Sequence, residues 1–251
     1  MSARDKNTSG IKTNFLIPMA GLGKRFSDAG YATPKPLLPL GQDTMIEAVV
    51  KALRHENLRF IFVVNTNSVN PEELRKSLAK VISDFEIISI DYVPEGSAMS
   101  CMLAKDLIDN DTPLIIGDCD MIIEDFDFHK FKSFCELHKA DGVIGTFFSE
   151  SPKNSYVKIN DKNQVTEARE KVVISNLATN GLRYWKKGKY FVDSVNEMIA
   201  VKDMTNEEYY VAPSYNYMLK KGMKIMPYHF NLHFPVGIPE DYENYKKMRN
   251  L

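Results

Sequence analysis

Residues 15–40 read FLIPMAGLGKRFSDAGYATPKPLLPL. The apolar triplet Phe15, Leu16 and Ile17 has the character of a buried strand, and it empties into a loop carrying Gly21, Gly23, Lys24 and Arg25. A further cation, Lys35, stands between Pro34 and Pro36. Residues without a Cβ let the backbone turn through positive φ and bring N–H groups close to an anion. Arg25 offers a planar fork to phosphoryl oxygens, and Lys24 and Lys35 act as compact point charges. The flanking prolines fix φ on both sides of Lys35, so that lysine is held at little entropic cost. A Gly-x-Gly by itself is met at many strand-to-loop turns; the three cations at these spacings make the loop a candidate phosphate holder. It is neither of the two best-known phosphate loops: there is no G-x-x-x-x-G-K-[ST], and Phe26 stands where a third glycine would fall.

Downstream, residues 44–53 (TMIEAVVKAL) place Met45, Ile46, Val49, Val50 and Leu53 on one helical face. Residues 60–64 (FIFVV) form a continuous apolar run, as in a strand covered on both sides. Pro71 opens a helix over 72–82, residues 86–93 read as a strand, 97–108 as a helix and 113–117 (PLIIG) as another buried strand. This alternation predicts an α/β fold with an open, mostly parallel sheet and helices on both faces, with ligands at the carboxyl ends of the strands. The polar segments of interest fall at those ends. After 126 the rhythm changes: 141–148, 156–159, 165–169 and 178–185 are strand-like with turn signals between them, a mixed extension able to cover the strand ends. Helices are expected over 190–201, 206–220 (stopped by Gly222) and 239–250, with a strand over 223–228.

At 251 residues the chain is long enough for a sizeable core, and one domain over 14–251 is expected, behind a polar tail at 1–13 without an apolar segment. The 32 basic and 33 acidic residues nearly cancel, which gives no general pull towards nucleic acid or an anionic membrane, so anion binding has to be local. Cys101, Cys119 and Cys135 lack C-x-x-C spacing and suit a reducing compartment. No apolar run approaches the ~18 residues that cross a bilayer, and a cytoplasmic location is expected.

Two carboxylates, Asp118 and Asp120, follow the strand at 114–116. At the mouth of a parallel sheet such a pair either satisfies turn amides or shares a divalent cation, and oxygen donors suit Mg²⁺. The turn at 94–100 (PEGSAMS) contains Glu95, Gly96 and Ser97, which either cap a helix or meet a nucleobase edge. His129 and His138 read as surface or core residues.

Residue for residue, Gly21, Gly23 and Arg25 followed by Pro34, Lys35, Pro36 and Leu37 resemble the opening G-x-G-x-R…P-K-x-L of the sugar nucleotidylyltransferases, the NDP-sugar pyrophosphorylases. The wording is most similar to the branch of capsule and surface-polysaccharide clusters. The resemblance covers about residues 14–245 and implies a Rossmann-like (GT-A type) three-layer sandwich with a small mixed-strand acceptor-binding extension. The nucleotide-binding half would be 14–125 and the acceptor-binding half 126–251. It implies a Mg²⁺-dependent enzyme that joins a nucleoside triphosphate to a sugar-1-phosphate, or a similar phosphorylated acceptor, and releases pyrophosphate. Arg25, Lys24, Lys35 and Asp120 would be catalytic; Ala20, Gly21, Leu22, Gly23, Glu95, Gly96 and Ser97 would hold the nucleotide. Asp120 would bind the metal with Asp118 helping, or with those two roles exchanged. Glu170, Lys171, Asn180, Gly181 and Tyr210 would receive the acceptor, and Glu208 and Asn216 are further candidates. The chain departs from the pattern at Pro235, where many members carry a second metal-binding aspartate two residues before the glycine that is Gly237 here. Rival readings are a GT-A glycosyltransferase, which would lack the basic opening loop, and a non-catalytic nucleotide-binding domain. Nucleotide and phosphorylated acceptor are the partners expected, with neither nucleic acid nor membrane, and an oligomer is open.

Overall fold

The structure is a computed structural model and describes residues 12–251. The polar tail therefore lies, up to residue 11, outside the described residues. Its expected boundary at 13 is corrected: Thr13 already belongs to the first strand, β1 (Thr13–Met19), with its N–H on the Asn57 carbonyl at 2.9 Å.

From β1 the chain forms α1 (Lys24–Asp28), a 3₁₀ turn at Lys35–Leu37, a small hairpin of β2 (Pro39–Leu40) and β3 (Asp43–Thr44), α2 (Met45–Leu53), β4 (Leu58–Asn65), α3 (Pro71–Leu78) and β5 (Phe85–Ile90). The helix expected over 97–108 is two pieces, α4 (Ser97–Met102) and α5 (Lys105–Ile108), which lead into β6 (Leu114–Ile116). Then come β7 (Met121–Ile123), α6 (Phe128–Leu137), β8 (Gly142–Phe148), β9 (Ser155–Ile159), β10 (Val165–Glu170), β11 (Leu177–Trp185) and α7 (Gly188–Ala200). A 3₁₀ turn at Ala212–Ser214 precedes α8 (Tyr215–Lys220), β12 (Ile225–His229), β13 (His233–Pro235) and α9 (Pro239–Arg249). The expected helix over 206–220 is thus confined to its last six residues. Asn206 and Glu207 take positive φ, which no α-helix accommodates.

The central sheet runs β10-β9-β11-β6-β1-β4-β5, with β8 joining β11 to β12. β6, β1, β4 and β5 are mutually parallel, and β11 is antiparallel to β6 and to β8. Side chains alternate across a strand, so the apolar runs split into two layers. Phe15, Ile17, Phe60, Phe62 and Val64 join Val49 and Val50 of α2, Leu74 of α3 and Phe131 of α6 on one face. Leu16, Ile61, Val63 and Ile116 join Ala98 of α4, Phe191 and Val195 of α7 and Met218 of α8 on the other. Covered on both faces, such strands have to be apolar at every position.

Helix α2 is anchored by chemistry written at its start. Thr44 accepts the Glu47 N–H while the Glu47 carboxylate accepts the Thr44 N–H at 3.1 Å, a capping box. The same buried carboxylate takes the Ser77 hydroxyl at 2.6 Å, which ties α2 to α3. In β11 the register slips: Thr179 faces Thr146 of β8 and Arg183 faces Ile144, four steps against two. The bulge turns the residues at 180–182 out of the ladder and towards the end of β6. β13, unforeseen from sequence, pairs with β7 and brings Val236, whose N–H bonds the Asp120 carbonyl at 2.9 Å, beside the carboxylate pair.

Candidate active site

The carboxyl end of β1 is held by one side chain from β4. Asn65 is fully buried; its Nδ2 donates to the Ala20 carbonyl at 3.1 Å and to the Tyr92 carbonyl at 2.8 Å, and its Oδ1 accepts the Asn67 N–H at 2.9 Å. Three neighbouring strand ends are thereby fixed together. Beyond Ala20 the loop reaches Gly23, at φ +64, which starts α1. Among the described residues no backbone acceptor takes the amides of Leu22, Gly23 or Lys24. These residues line a cleft of about 580 Å³ with Arg25, Lys35, Val93, Glu208 and Gly237. A neighbouring hollow of about 390 Å³ includes Gly21, Asn67, Ser68 and Cys119. The side chains of Lys24 and Arg25 are exposed, free to meet a ligand.

Lys35 donates from Nζ to Asp120 Oδ2, joining the opening loop to the end of β6. Burial pushes the Asp120 carboxyl up, but the Lys35 ammonium, with help from Arg25, more than reverses this and holds it below its ordinary range. Burial likewise disfavours the Lys35 ammonium, and the Asp120 carboxylate outweighs it. Asp118 differs: burial raises its pKa, only partly relieved by Arg183, whose Nη1 lies 3.2 Å from Oδ1. Two glycines keep space in front of these carboxylates. A Cβ on Gly237 would stand 2.5 Å from Asp120 Oδ2, and one on Gly181, at φ +89, would overlap Asp118 Oδ2.

The acceptor-side residues come from the end of β10, the bulge of β11 and the turn before Ala212. Glu170, buried at the end of β10, accepts the Ser155 hydroxyl; burial pushes its carboxyl up. Lys171 follows at φ +55, and its Nζ donates to the Tyr210 hydroxyl at 2.5 Å. Asn180 is fully buried in the bulge; its Oδ1 accepts the Leu182 N–H at 3.2 Å, while Nδ2 has no partner among the described residues. Two readings need correction. Asn216 is used up on the backbone of β10, with Nδ2 to the Ala168 carbonyl at 2.8 Å and Oδ1 from the Ala168 N–H at 2.9 Å, so it braces the extension. Ser97 is the first residue inside α4, not its cap: Gly96, at φ +102, takes the cap position, and a hydroxyl one residue inside makes no capping bond. Gly96 packs against the backbone of Tyr209, where a Cβ would stand 2.5 Å from the carbonyl oxygen.

Sequence reasoning missed Asn65 and Arg183. Arg183 is buried, bonds the Gly181 carbonyl at 2.9 Å as well as Asp118, and its Nε lacks a partner among the described residues. A basic residue inside the strand at 178–185, followed by Tyr184 and Trp185, was the available signal: a charge there has to meet a carboxylate once buried.

The donor set suits a hard divalent cation. Asp118 and Asp120 present oxygen only, and the two glycines leave room in front of them. Among the described residues no three His, Cys, Asp or Glu side chains gather into a metal cage. A pair of carboxylates fits an ion that takes its other ligands from water and phosphate, the habit of Mg²⁺.

A loop with free amides and cations, facing carboxylates at the carboxyl ends of a parallel sheet, is the site of a phosphate-handling α/β protein. The chain belongs to the Nucleotidyl transferase family, whose model matches residues 16–242. It is 33% identical over 136 residues to the mannose-1-phosphate guanyltransferase of Neurospora crassa, covering 52% of this chain and 35% of that protein. It is 27% identical over 184 residues to the one from Saccharomyces cerevisiae, covering 70% and 46%. The chain thus spans less than half the length of these curated relatives. Among solved structures, a nucleoside-diphosphate-sugar pyrophosphorylase from Vibrio cholerae RC9 superposes with a TM-score of 0.83 at 24% identity, over 93% of this chain and 99% of that one. That likeness shows the fold: the α/β sandwich with its large, mostly parallel sheet.

Proposed function

We propose that this chain is a Mg²⁺-dependent nucleotidylyltransferase that joins a nucleoside triphosphate to a sugar-1-phosphate and releases pyrophosphate. The observation that supports the reading best is the contact of Lys35 with Asp120, because it ties the basic opening loop to the carboxylate pair. A phosphate oxygen of the acceptor attacks the α-phosphorus; the new P–O bond forms as the bond to the β-phosphate oxygen breaks, and pyrophosphate departs in line. The acceptor oxygen is already an anion, so no general base is needed, and catalysis is alignment plus charge neutralisation.

Each residue then has one task. Arg25, Lys24 and the amides of Gly21 to Gly23 hold the β and γ phosphates, Lys35 the α-phosphate, and the turn of Glu95 and Gly96 the base. Glu170, Asn180 and Gly181 meet the acceptor's hydroxyls, and Lys171 its phosphate. Asp120, with Asp118 held by Arg183, would hold Mg²⁺, which supplies charge neutralisation on the phosphates when bound. Residues 14–125 supply most of the nucleotide side and 126–251 most of the acceptor side, with Glu208 and Gly237 crossing over to line the cleft.

Similarity to mannose-1-phosphate guanyltransferases favours GTP and mannose 1-phosphate as the first pair to try. The opening motif favours a product destined for surface polysaccharide, made in the cytoplasm. A coupled pyrophosphate-release screen of four nucleoside triphosphates against phosphorylated acceptors, with and without Mg²⁺, tests the reading. Release with one pair only, lost on chelation, is expected; no release with any pair would refute it.

A further inference from the structure

The turn before Ala212 is tightly made. Thr205 and Glu208 exchange backbone hydrogen bonds at 3.0 and 3.1 Å, and the two residues between them, Asn206 and Glu207, both sit at positive φ (+49 and +62) without being glycine. Such a turn holds its shape where its flanks are fixed. Here three consecutive residues fix it in three directions. Glu208 lines the cleft with Lys24 and Arg25. Tyr209 is buried, and it clamps the turn of Gly96 from both sides: its N–H donates to the Glu95 carbonyl at 2.8 Å and its carbonyl accepts the Ala98 N–H at 2.9 Å. Tyr210 receives the hydrogen bond from Lys171, whose ammonium also lies 4.6 Å from the ring centroid.

The geometry points to residues 208–210 as a strap through which the nucleotide side sets the position of Lys171, with Tyr210 as a positioning residue that acts through that lysine. This rests on the reading in which Lys171 receives the acceptor's phosphate. A nucleotide seated on the turn of Gly96 fixes Tyr209, and so fixes Tyr210 and the ammonium before the acceptor arrives. By linkage each ligand then tightens the other. Lys171 itself follows a buried glutamate at positive φ on the exposed end of β10, where little else restrains its side chain.

The test reads the lysine directly in the full chain. Labelling of the Lys171 amine by trinitrobenzenesulfonate is followed peptide by peptide by mass spectrometry, with exposed Lys158 as the internal reference. Tyr210→Phe keeps the ring and removes the hydroxyl. It should speed labelling of Lys171 by about tenfold, the worth of a hydrogen bond to a charged group. Gly96→Ala, which pushes on the Tyr209 carbonyl in the middle of the strap, should speed it by about fivefold. Should Gly96→Ala not fold, Pro94→Gly loosens the same turn without adding an atom and takes its place. An unchanged rate in Tyr210→Phe overturns the inference, and so does acceleration in Tyr210→Phe with none in the folded turn variant. With the substrate pair that releases pyrophosphate, Tyr210→Phe should also raise the acceptor KM by about tenfold and leave kcat within about twofold; an unchanged acceptor KM removes the positioning role. If no pair releases pyrophosphate, the proposed function falls while labelling still decides the strap.

Discussion

Lys35 of the 3₁₀ turn and Asp120, beyond the end of β6, stand 85 positions apart in sequence and meet as an ion pair. Each is partly exposed, with side-chain exposures of 17% and 29%. The pair is therefore a weak contributor to stability and a strong one to the field in the cleft. Lys35→Ala and Asp120→Ala should each lower kcat/KM by about 10³, the scale of losing one preorganised charge at a transition state. A partly solvated pair is worth about 1 kcal/mol, so the melting temperature should fall by only about 2–4 °C. Steady-state kinetics beside thermal melts separate the two effects. A rate within threefold of the parent in either variant would remove the pair from the chemistry.

The two glycines beside the carboxylates should respond differently to alanine. Gly181 stands at φ +89 with Asp118 against its Cα, so Gly181→Ala meets backbone strain and overlap together and should cost about 2 kcal/mol or more of stability. Gly237 lacks the positive φ, and its added methyl would press first on the Asp120 side chain, nearest at its carboxylate, which can move. Gly237→Ala should therefore melt within about 2 °C of the parent, while its Mg²⁺ requirement rises as Asp120 is turned aside. Denaturation curves and Mg²⁺ titrations of activity would tell the pair apart; equal stability loss in both would contradict it.

The parallel half of the fold was legible because its strands are apolar at every position and its helices carry their own start signals. Thr44 with Glu47, and Pro71 after Asn70, mark the starts of α2 and α3 to within a residue, although the helix expected over 72–82 already stops at Leu78. Lys35, Asp118 and Asp120 were legible as candidates, a cation between prolines and paired carboxylates after a strand, and the structure brings Lys35 onto Asp120. Less was readable where tertiary contacts set the conformation. The turn at Asn206 and Glu207 is imposed by its clamp on Gly96, and local propensity does not announce it. Asn216 reads like a ligand contact and is a backbone brace, because an asparagine amide satisfies a strand edge as well as a hydroxyl. β7 and β13 are three residues each and were invisible to periodicity.

Glu170 gives a pH test. Burial raises its carboxyl, with the Ser155 hydroxyl and Arg183 pulling the other way. A carboxyl whose folded value lies above its unfolded one holds its proton more tightly when folded. Its ionised form thus costs stability above the folded value, and the cost vanishes as pH falls below the unfolded value of about 4.3. Glu170→Gln removes that charge and keeps an acceptor for the Ser155 hydroxyl. Its melting temperature should exceed the parent's at pH 8, with the gap closing towards about pH 4, while its acceptor KM rises. A variant less stable than the parent at pH 8 would show that Glu170 is not a strained charge.

Asn65 offers the sharpest separation of loop placement from chemistry, because it touches no part of the cleft's charge and yet holds the ends of β1, β4 and β5 together. Asn65→Ala strands the buried Ala20 carbonyl and opens a small void, at a cost of about 2–3 kcal/mol. Asn65→Asp keeps the acceptor for the Asn67 N–H but turns oxygens, with no hydrogen to give, towards the Ala20 and Tyr92 carbonyls, and buries a charge among them. It should be the worse of the two, although it is the closer in shape. Both should raise the KM for the nucleoside triphosphate more than they lower kcat, since the loop after Ala20, proposed to hold phosphate, loses its fixed root, whereas Lys35 keeps its own tie to Asp120. Urea denaturation should rank parent above Asn65→Ala above Asn65→Asp. Initial rates at saturating nucleotide should bring Asn65→Ala back towards parental turnover, and a kcat loss that saturation does not recover would place Asn65 among the catalytic contacts instead of beneath them.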